Sequence, residues 1–143
     1  MANASIIYKA YNEILSYDTM RLFASDKAEY EDGGMKRDFI YVKDVVKIIH
    51  FFLEKQTTSG IYNVGSGKAV SFKWIVDSVF KELRIHPRYE FEPIPEVLKD
   101  NFPYDVDFPI NKLIEAGYLQ EITSTDIAIK DYLDKYLMKG EFY

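Results

Sequence analysis

Helical periodicity dominates this chain, and the stretches left over for strands are few and short. Apolar residues recur at three- and four-residue spacing in Ile6, Ile7, Ala10, Tyr11, Ile14 and Leu15, the signature of a helix with one buried face. The spacing returns in Val45, Val46, Ile48, Ile49, Phe52 and Leu53, then in Phe72, Ile75, Val76, Val79, Phe80 and Leu83. A fourth set is Ile127, Ile129, Tyr132, Leu133, Tyr136 and Leu137, ending at Gly140. Lys43-Asp44 opens the second helix, Ser71 is placed to cap the third, and Thr123-Ser124-Thr125 precedes the fourth. The β-rich runs between them are residues 20–23, 38–42 and 61–64 and the alternating Tyr89, Phe91 and Pro93. At most two of these are well supported as long-range strands, which is thin for a self-sufficient sheet. The expectation is a helix-rich, mixed α/β chain forming a single domain over residues 1–143.

Breakers divide the elements. Residues 24–36 are polar and contain Asp32-Gly33-Gly34, a turn signal that marks a surface loop. Residues 57–60 break the second helix, and His86-Pro87 stops the third, because proline disfavours helix in the residue before it. Pro93, Pro95, Pro103 and Pro109 prevent long regular structure, after which residues 110–116 read as a short helix closed by Gly117.

Composition removes whole classes of function. A chain of 143 residues, 48% hydrophobic and 29% charged, can build a core. Its net charge of -5 places no basic stripe on the surface, so nucleic acid is not the expected partner. With no cysteine there are no disulfides, thiolate metal sites or cysteine nucleophiles. Histidines 50 and 86 are too few and too separated for a metal site, and His50 is expected to pack against its own helix. No stretch approaches the roughly 18 apolar residues of a membrane span. The start Met-Ala-Asn-Ala-Ser has no signal-peptide pattern, so a soluble, cytoplasmic protein without a membrane partner is expected.

Several constellations invite chemistry. Gly65-Ser66-Gly67-Lys68 could cradle an oxyanion on its amides, but its spacing fits neither a Walker loop nor a dinucleotide fingerprint, whose third glycine would stand at Val70. A structural strand-to-helix turn is the favoured reading. Arg37, at the mouth of a strand after a loop, can grip a diphosphate bidentately; on composition alone it is a surface arginine paired with a carboxylate. Asp105 and Asp107, near Glu90 and Glu92, could be an acid-base pair or ordinary loop charges. There is no Tyr-x-x-x-Lys and no Gly-x-Ser-x-Gly elbow.

Two blocks carry a resemblance. Lys36-Arg37-Asp38-Phe39-Ile40-Tyr41-Val42-Lys43-Asp44-Val45 resembles the Arg-Asp-Phe-Val-Tyr-Val-x-Asp-Val block of extended short-chain dehydrogenase/reductase enzymes that act on nucleotide sugars. Ser59-Gly60-Ile61-Tyr62-Asn63-Val64-Gly65-Ser66-Gly67, followed by Ser71-Phe72, resembles that family's Gly-Ile-Phe-Asn-Leu-Gly-Thr-Gly block. Among its branches the ADP-glycero-manno-heptose 6-epimerases are most similar. Ala4-Ser5-Ile6-Ile7-Tyr8 looks like their Met-Ala-Ser helix, Ile94-Pro95-Glu96 with Leu98-Lys99 like their Pro-x-x-Leu-Lys segment, and Leu113 to Tyr118 like their Leu-x-x-Ala-Gly-Tyr.

The resemblance implies the C-terminal, substrate-binding lobe of such an enzyme, with the Rossmann half missing. NADP, the catalytic tyrosine and the catalytic lysines would belong to that half, so none of this chain's residues is catalytic, none binds cofactor or metal, and the chain alone is expected to be inert. The parent would oxidise C6 of the heptose and return hydride to the opposite face, for lipopolysaccharide core synthesis. Carried over by position, Lys9 falls where a substrate-contacting histidine is common. Phe23, Ala24, Ser25 and Asp26 form the loop along the nucleotide sugar, and Arg37 takes the diphosphate position. Phe102 aligns with a substrate-contacting tyrosine, and Tyr104 offers a phenol two residues on. Ala24-Ser25-Asp26 replaces the family's Glu-Gly-Ser, and the stretch around Phe102 also departs from its pattern, which leaves the sugar open. Implied partners are a nucleotide-diphosphate sugar and the chain's own Rossmann half. An unpaired edge at residues 61–64 would also favour self-association. A stand-alone nucleotide-sugar-binding module, or part of another nucleotide-sugar epimerase or dehydratase, remain alternative readings.

Overall fold

The computed structural model describes residues 4–55, 57, 59–99 and 102–140. The chain runs α1 (Ile6–Tyr17), β1 (Met20–Phe23), β2 (Lys36–Asp38), α2 (Val42–Glu54), β3 (Ala69–Ser71), α3 (Phe72–Leu83), β4 (Tyr89–Glu92), α4 (Glu96–Lys99), β5 (Asp105–Val106), α5 (Asn111–Glu115) and α6 (Thr125–Tyr132). The last helix widens into a π-helical turn, Leu133–Leu137, closed by the Met138 N–H donating to the Leu133 carbonyl at 3.0 Å. Met1, Ala2 and Asn3, which carry the signal-peptide reading, and Thr58, within the expected helix break, lie outside the described residues.

The four periodic segments become the four long helices. Ser5 caps α1, its hydroxyl accepting from the Ile7 N–H at 3.3 Å, and Ser71 caps α3, accepting from Trp74 at 3.1 Å. The main core lies where α1, α3 and α6 meet under β1, with Ala10, Ile14, Ile75, Val76, Val79, Phe80, Ile129 and Leu133 all at most 1% exposed. A second cluster gathers Met35, Ile94 and Tyr104, and a third packs Ile48 of α2 against Leu113 and Tyr118. Asp44, fully buried near the start of α2, holds the segment before α6. Its carboxylate accepts from the Thr123 N–H at 2.8 Å and the Thr123 hydroxyl at 3.1 Å, and the Lys47 ammonium lies at 2.7 Å.

Strands are short and lie in two small sheets. β1 pairs in parallel with β4, Met20 opposite Tyr89 and Phe23 opposite Glu92. β2 is central to the other sheet, antiparallel to β3 and parallel to β5. Two expectations change here. Of the 38–42 run only Asp38 lies in a strand, at the end of β2, and Tyr41, in extended backbone, is the N-cap of α2. Residues 61–64 have no ladder partner among the described residues, and Ile61 is 88% exposed. β3 and β5, which do pair with β2, have only three and two residues and so carry no periodicity to read. His50 faces solvent beside Glu54, its Nδ1 at 3.3 Å from the carboxylate, because its position falls off the apolar face of α2. That helix also leaves Val42, Val46, Ile49 and Leu53 more than half exposed in one stripe.

Candidate functional site

Alternation along β1 builds one wall of a cleft. Met20 and Leu22 turn into the core, so Arg21 and Phe23 face the other way. Together with α1, β2 and the start of α3 they enclose about 380 Å³. The lining includes Lys9, Arg21, Phe23, Arg37, Phe39, Phe72, Glu92 and Phe102. Four expected site residues, Lys9, Phe23, Arg37 and Phe102, are thus brought into one concavity. Phe23 and Phe102 meet edge to face, their ring centres 5.8 Å apart.

Arg37 is the distinctive group. Its position on the middle strand of a sheet fixes its backbone, with Val70 on one side and Val106 on the other. The guanidinium lies over two rings, 5.4 Å from the centre of Phe72 and 5.9 Å from that of Phe102. Nη1 donates to the Lys36 carbonyl at 2.7 Å. Among the described residues no carboxylate comes within ion-pair distance, so the surface ion pair suggested by composition does not form. Burial pushes the guanidinium below its ordinary value, opposed only by the more distant charge of Asp105. A partly desolvated cation on two aromatic faces is well placed for an anion to complete.

Ala24, Ser25, Asp26 and Tyr104 lie outside that lining. Ala24 donates its N–H to the Glu92 carbonyl at 2.8 Å, continuing the β1–β4 ladder. The Ser25 N–H donates to Asp32 at 2.8 Å, and the Ser25 hydroxyl to the Lys27 carbonyl at the same distance. Tyr104 is 5% exposed, with its hydroxyl taken up by Asp26: it donates to the carboxylate and accepts from the Asp26 N–H at 3.1 Å. The Lys27 ammonium sits 4.3 Å from the Tyr104 ring centre, and the Tyr30 ring lies tilted against the same ring with centres 4.6 Å apart. Tyr104 therefore holds the loop of residues 24–32 down beside the cleft, and its ring backs Phe102 at 5.7 Å. The charged lining residues not foreseen as site residues are Arg21 and Glu92; the period-two alternation of residues 20–23 was the signal available for Arg21.

The glycine turn is closed to phosphate. The Asp38 carboxylate accepts from the Ser66 N–H at 2.7 Å and the Gly67 N–H at 3.0 Å. A Cβ on Gly65 would stand 2.3 Å from Asp38 Oδ2, so the chain's own carboxylate fills the space an oxyanion would need. Asp105 accepts from the Tyr30 hydroxyl at 2.7 Å, which gives it a structural partner. Among the described residues no group of three or more His, Asp or Glu could hold a metal ion, and no helix is long and apolar enough to cross a membrane.

Comparison with known proteins places this geometry. Residues 3–65, which include α1, β1, β2, α2 and most of the 59–67 block, match the NAD dependent epimerase/dehydratase family. An ADP-L-glycero-D-manno-heptose-6-epimerase from Fusobacterium nucleatum is 36% identical over 146 residues, covering 98% of this chain and 44% of that protein. Thermus thermophilus UDP-glucose 4-epimerase, solved in complex with NAD, superposes with a TM-score of 0.73 at 21% identity, over 90% of this chain and 39% of that one. UDP-N-acetylglucosamine 4-epimerase from Methanobrevibacter ruminantium, in complex with UDP-N-acetylmuramic acid, gives 0.74 at 18% identity, over 97% and 41%. The α/β fold is the one these solved epimerases have over the matched stretch. This chain spans less than half the length of the curated relatives it matches, 44% of the Fusobacterium protein.

Proposed function

We propose that this chain is the nucleotide-sugar-holding part of an epimerase of the NAD dependent epimerase/dehydratase family, with an ADP-glycero-manno-heptose as its sugar nucleotide. The carrying observation is Arg37, a guanidinium in the cleft with no carboxylate partner among the described residues, over the rings of Phe72 and Phe102. A diphosphate offers the paired oxygens a guanidinium fork matches, and Lys9 adds a second cation on the same cleft. Phe23 and Phe102 offer apolar faces for the ring systems on either side of the diphosphate. The ADP-heptose assignment draws on the 36% identity to the Fusobacterium enzyme.

Nicotinamide chemistry belongs elsewhere in this reading. The Gly65-Ser66-Gly67 turn is filled by the Asp38 carboxylate, so that turn does not fit the phosphates of NADP. A Rossmann half would supply the cofactor and the acid-base groups, docked on the exposed α2 stripe and along residues 61–64; without it, the same apolar surface favours self-association in the cytoplasm. This chain would hold and orient the sugar and turn over nothing alone.

Titration calorimetry with ADP-glucose and UDP-glucose as probes tests the binding role. Heat on ADP-glucose without any nicotinamide nucleotide is expected, and weaker heat on UDP-glucose. No heat with either probe at roughly millimolar concentration would remove the binding role. Epimerisation of an ADP-heptose by the chain alone would overturn the placement of the chemistry on another segment.

A further inference from the structure

Among the described residues, Glu92 is the one acidic side chain lining a cleft whose other charged residues are Lys9, Arg21 and Arg37. Its backbone is fixed: it lies opposite Phe23 in the parallel ladder, and its carbonyl accepts the Ala24 N–H at 2.8 Å. Its carboxylate is not needed to neutralise Arg21. Glu13 already does so, accepting from Arg21 Nε at 2.9 Å and from the Arg21 N–H at 3.1 Å. The remaining Arg21–Glu92 approach is 3.6 Å between side chains each about half exposed, a contact that contributes little to stability. Among the described residues the Glu92 carboxylate accepts no hydrogen bond, so its acceptor sites stand open to the cleft.

A carboxylate weakens the binding of a phosphate beside it, so its use in this cleft is to accept from neutral donors. The donors that accompany a diphosphate in a nucleotide sugar are hydroxyls. We propose that Glu92 is a specificity-determining residue that accepts hydrogen bonds from neighbouring hydroxyls of the ligand's pentose or hexose, while Glu13 keeps Arg21 turned so that it does not close over that carboxylate. This inference rests on the reading of the cleft as a nucleotide-sugar site.

The test measures dissociation constants of the 143-residue chain and its Glu92→Ala and Glu92→Gln variants for ADP-glucose, ADP and 2′-deoxy-ADP. Circular dichroism shows that each variant is folded. Hydrogen bonds to a charged acceptor correspond to roughly tenfold or more in affinity. If Glu92 reads the hexose, the ADP-glucose to ADP preference collapses by about that factor in Glu92→Ala and by less in Glu92→Gln, whose amide keeps one acceptor. If it reads the pentose, the ADP to 2′-deoxy-ADP preference collapses instead. Probes that all bind with both preferences unchanged, or that all gain affinity equally, would overturn this inference and leave the proposed function standing. Failure of the wild-type chain to bind any probe would remove both.

Discussion

Removing the Asp44 carboxylate should loosen the whole α2 side of the molecule. The group is fully buried and bridges 79 residues of sequence through two bonds from Thr123, with Lys47 as its counter-ion. Hydrogen bonds to a charged acceptor contribute about 1.5–3 kcal/mol, and the Lys47 share is small because that side chain is 47% exposed. Asp44→Ala leaves the Thr123 N–H without its acceptor, so the expected loss is about 2–4 kcal/mol. Against a total stability on the order of 5–15 kcal/mol that is a large fraction. Asp44→Asn retains one carbonyl acceptor but turns an amide toward a donor, and should fall about halfway. Urea unfolding at neutral pH, with an unchanged slope, measures both. A loss under about 0.5 kcal/mol for the alanine variant, the scale of an ordinary surface change, would refute the bridge. Acid provides a second check. Burial pushes the Asp44 carboxyl up, but Lys47 and the Thr123 donors outweigh it and hold the group below its usual range. Lys135, Lys43 and Tyr41 depress Asp131 likewise. Carboxyls lowered by folding stabilise fully above their unfolded value near about 3.9, and that stability is lost as pH falls through the lower folded values. Stability should therefore drop steeply below about pH 4, and less steeply in Asp44→Asn.

Further outcomes follow from the cleft and from α2. Arg37→Ala should weaken ADP-glucose binding by roughly 10- to 100-fold while changing unfolding free energy by less than about 1 kcal/mol, since the guanidinium has ring contacts but no ion pair to lose; a large stability loss with unchanged affinity would make it a structural residue. Gly65→Ala drives a methyl into Asp38 Oδ2, 2.3 Å from the built Cβ, and should destabilise by about 1–3 kcal/mol in thermal melts. A double Val46→Glu, Leu53→Glu variant, at side chains 59% and 80% exposed, should leave stability within about 0.5 kcal/mol and abolish concentration-dependent self-association in light scattering. Persistent oligomers in that variant would move the interface off α2.

The long helices were legible because each buries a continuous stripe, and Ser71 was legible as a cap because its hydroxyl has one local task. The convergence of Lys9, Phe23, Arg37 and Phe102 came from the family resemblance, since no local pattern relates side chains on four separate segments. What escaped was short or long-range. β3 and β5 are defined by their pairing with β2, not by any composition of their own. Glu92 reads as one more loop charge until β4 is laid beside β1. Asp38 looked like part of a block around Arg37, yet its partners lie 28 and 29 residues later, in the glycine turn it fills.

The parallel pairing of β1 with β4 also bears on when the cleft comes into being. The Thr19 hydroxyl donates to the Arg88 carbonyl at 3.2 Å across 69 residues, and beside it the two strands supply Arg21, Phe23 and Glu92 to the cleft. A closure of that length carries an entropic cost, which the packing of the intervening segments offsets. The pocket therefore exists only where this long-range pairing is made, and a chain in which β1 and β4 are apart offers a ligand almost nothing. Ligand-induced protection from hydrogen exchange should therefore extend along both strands, residues 20–23 and 89–92, and not stop at one of them.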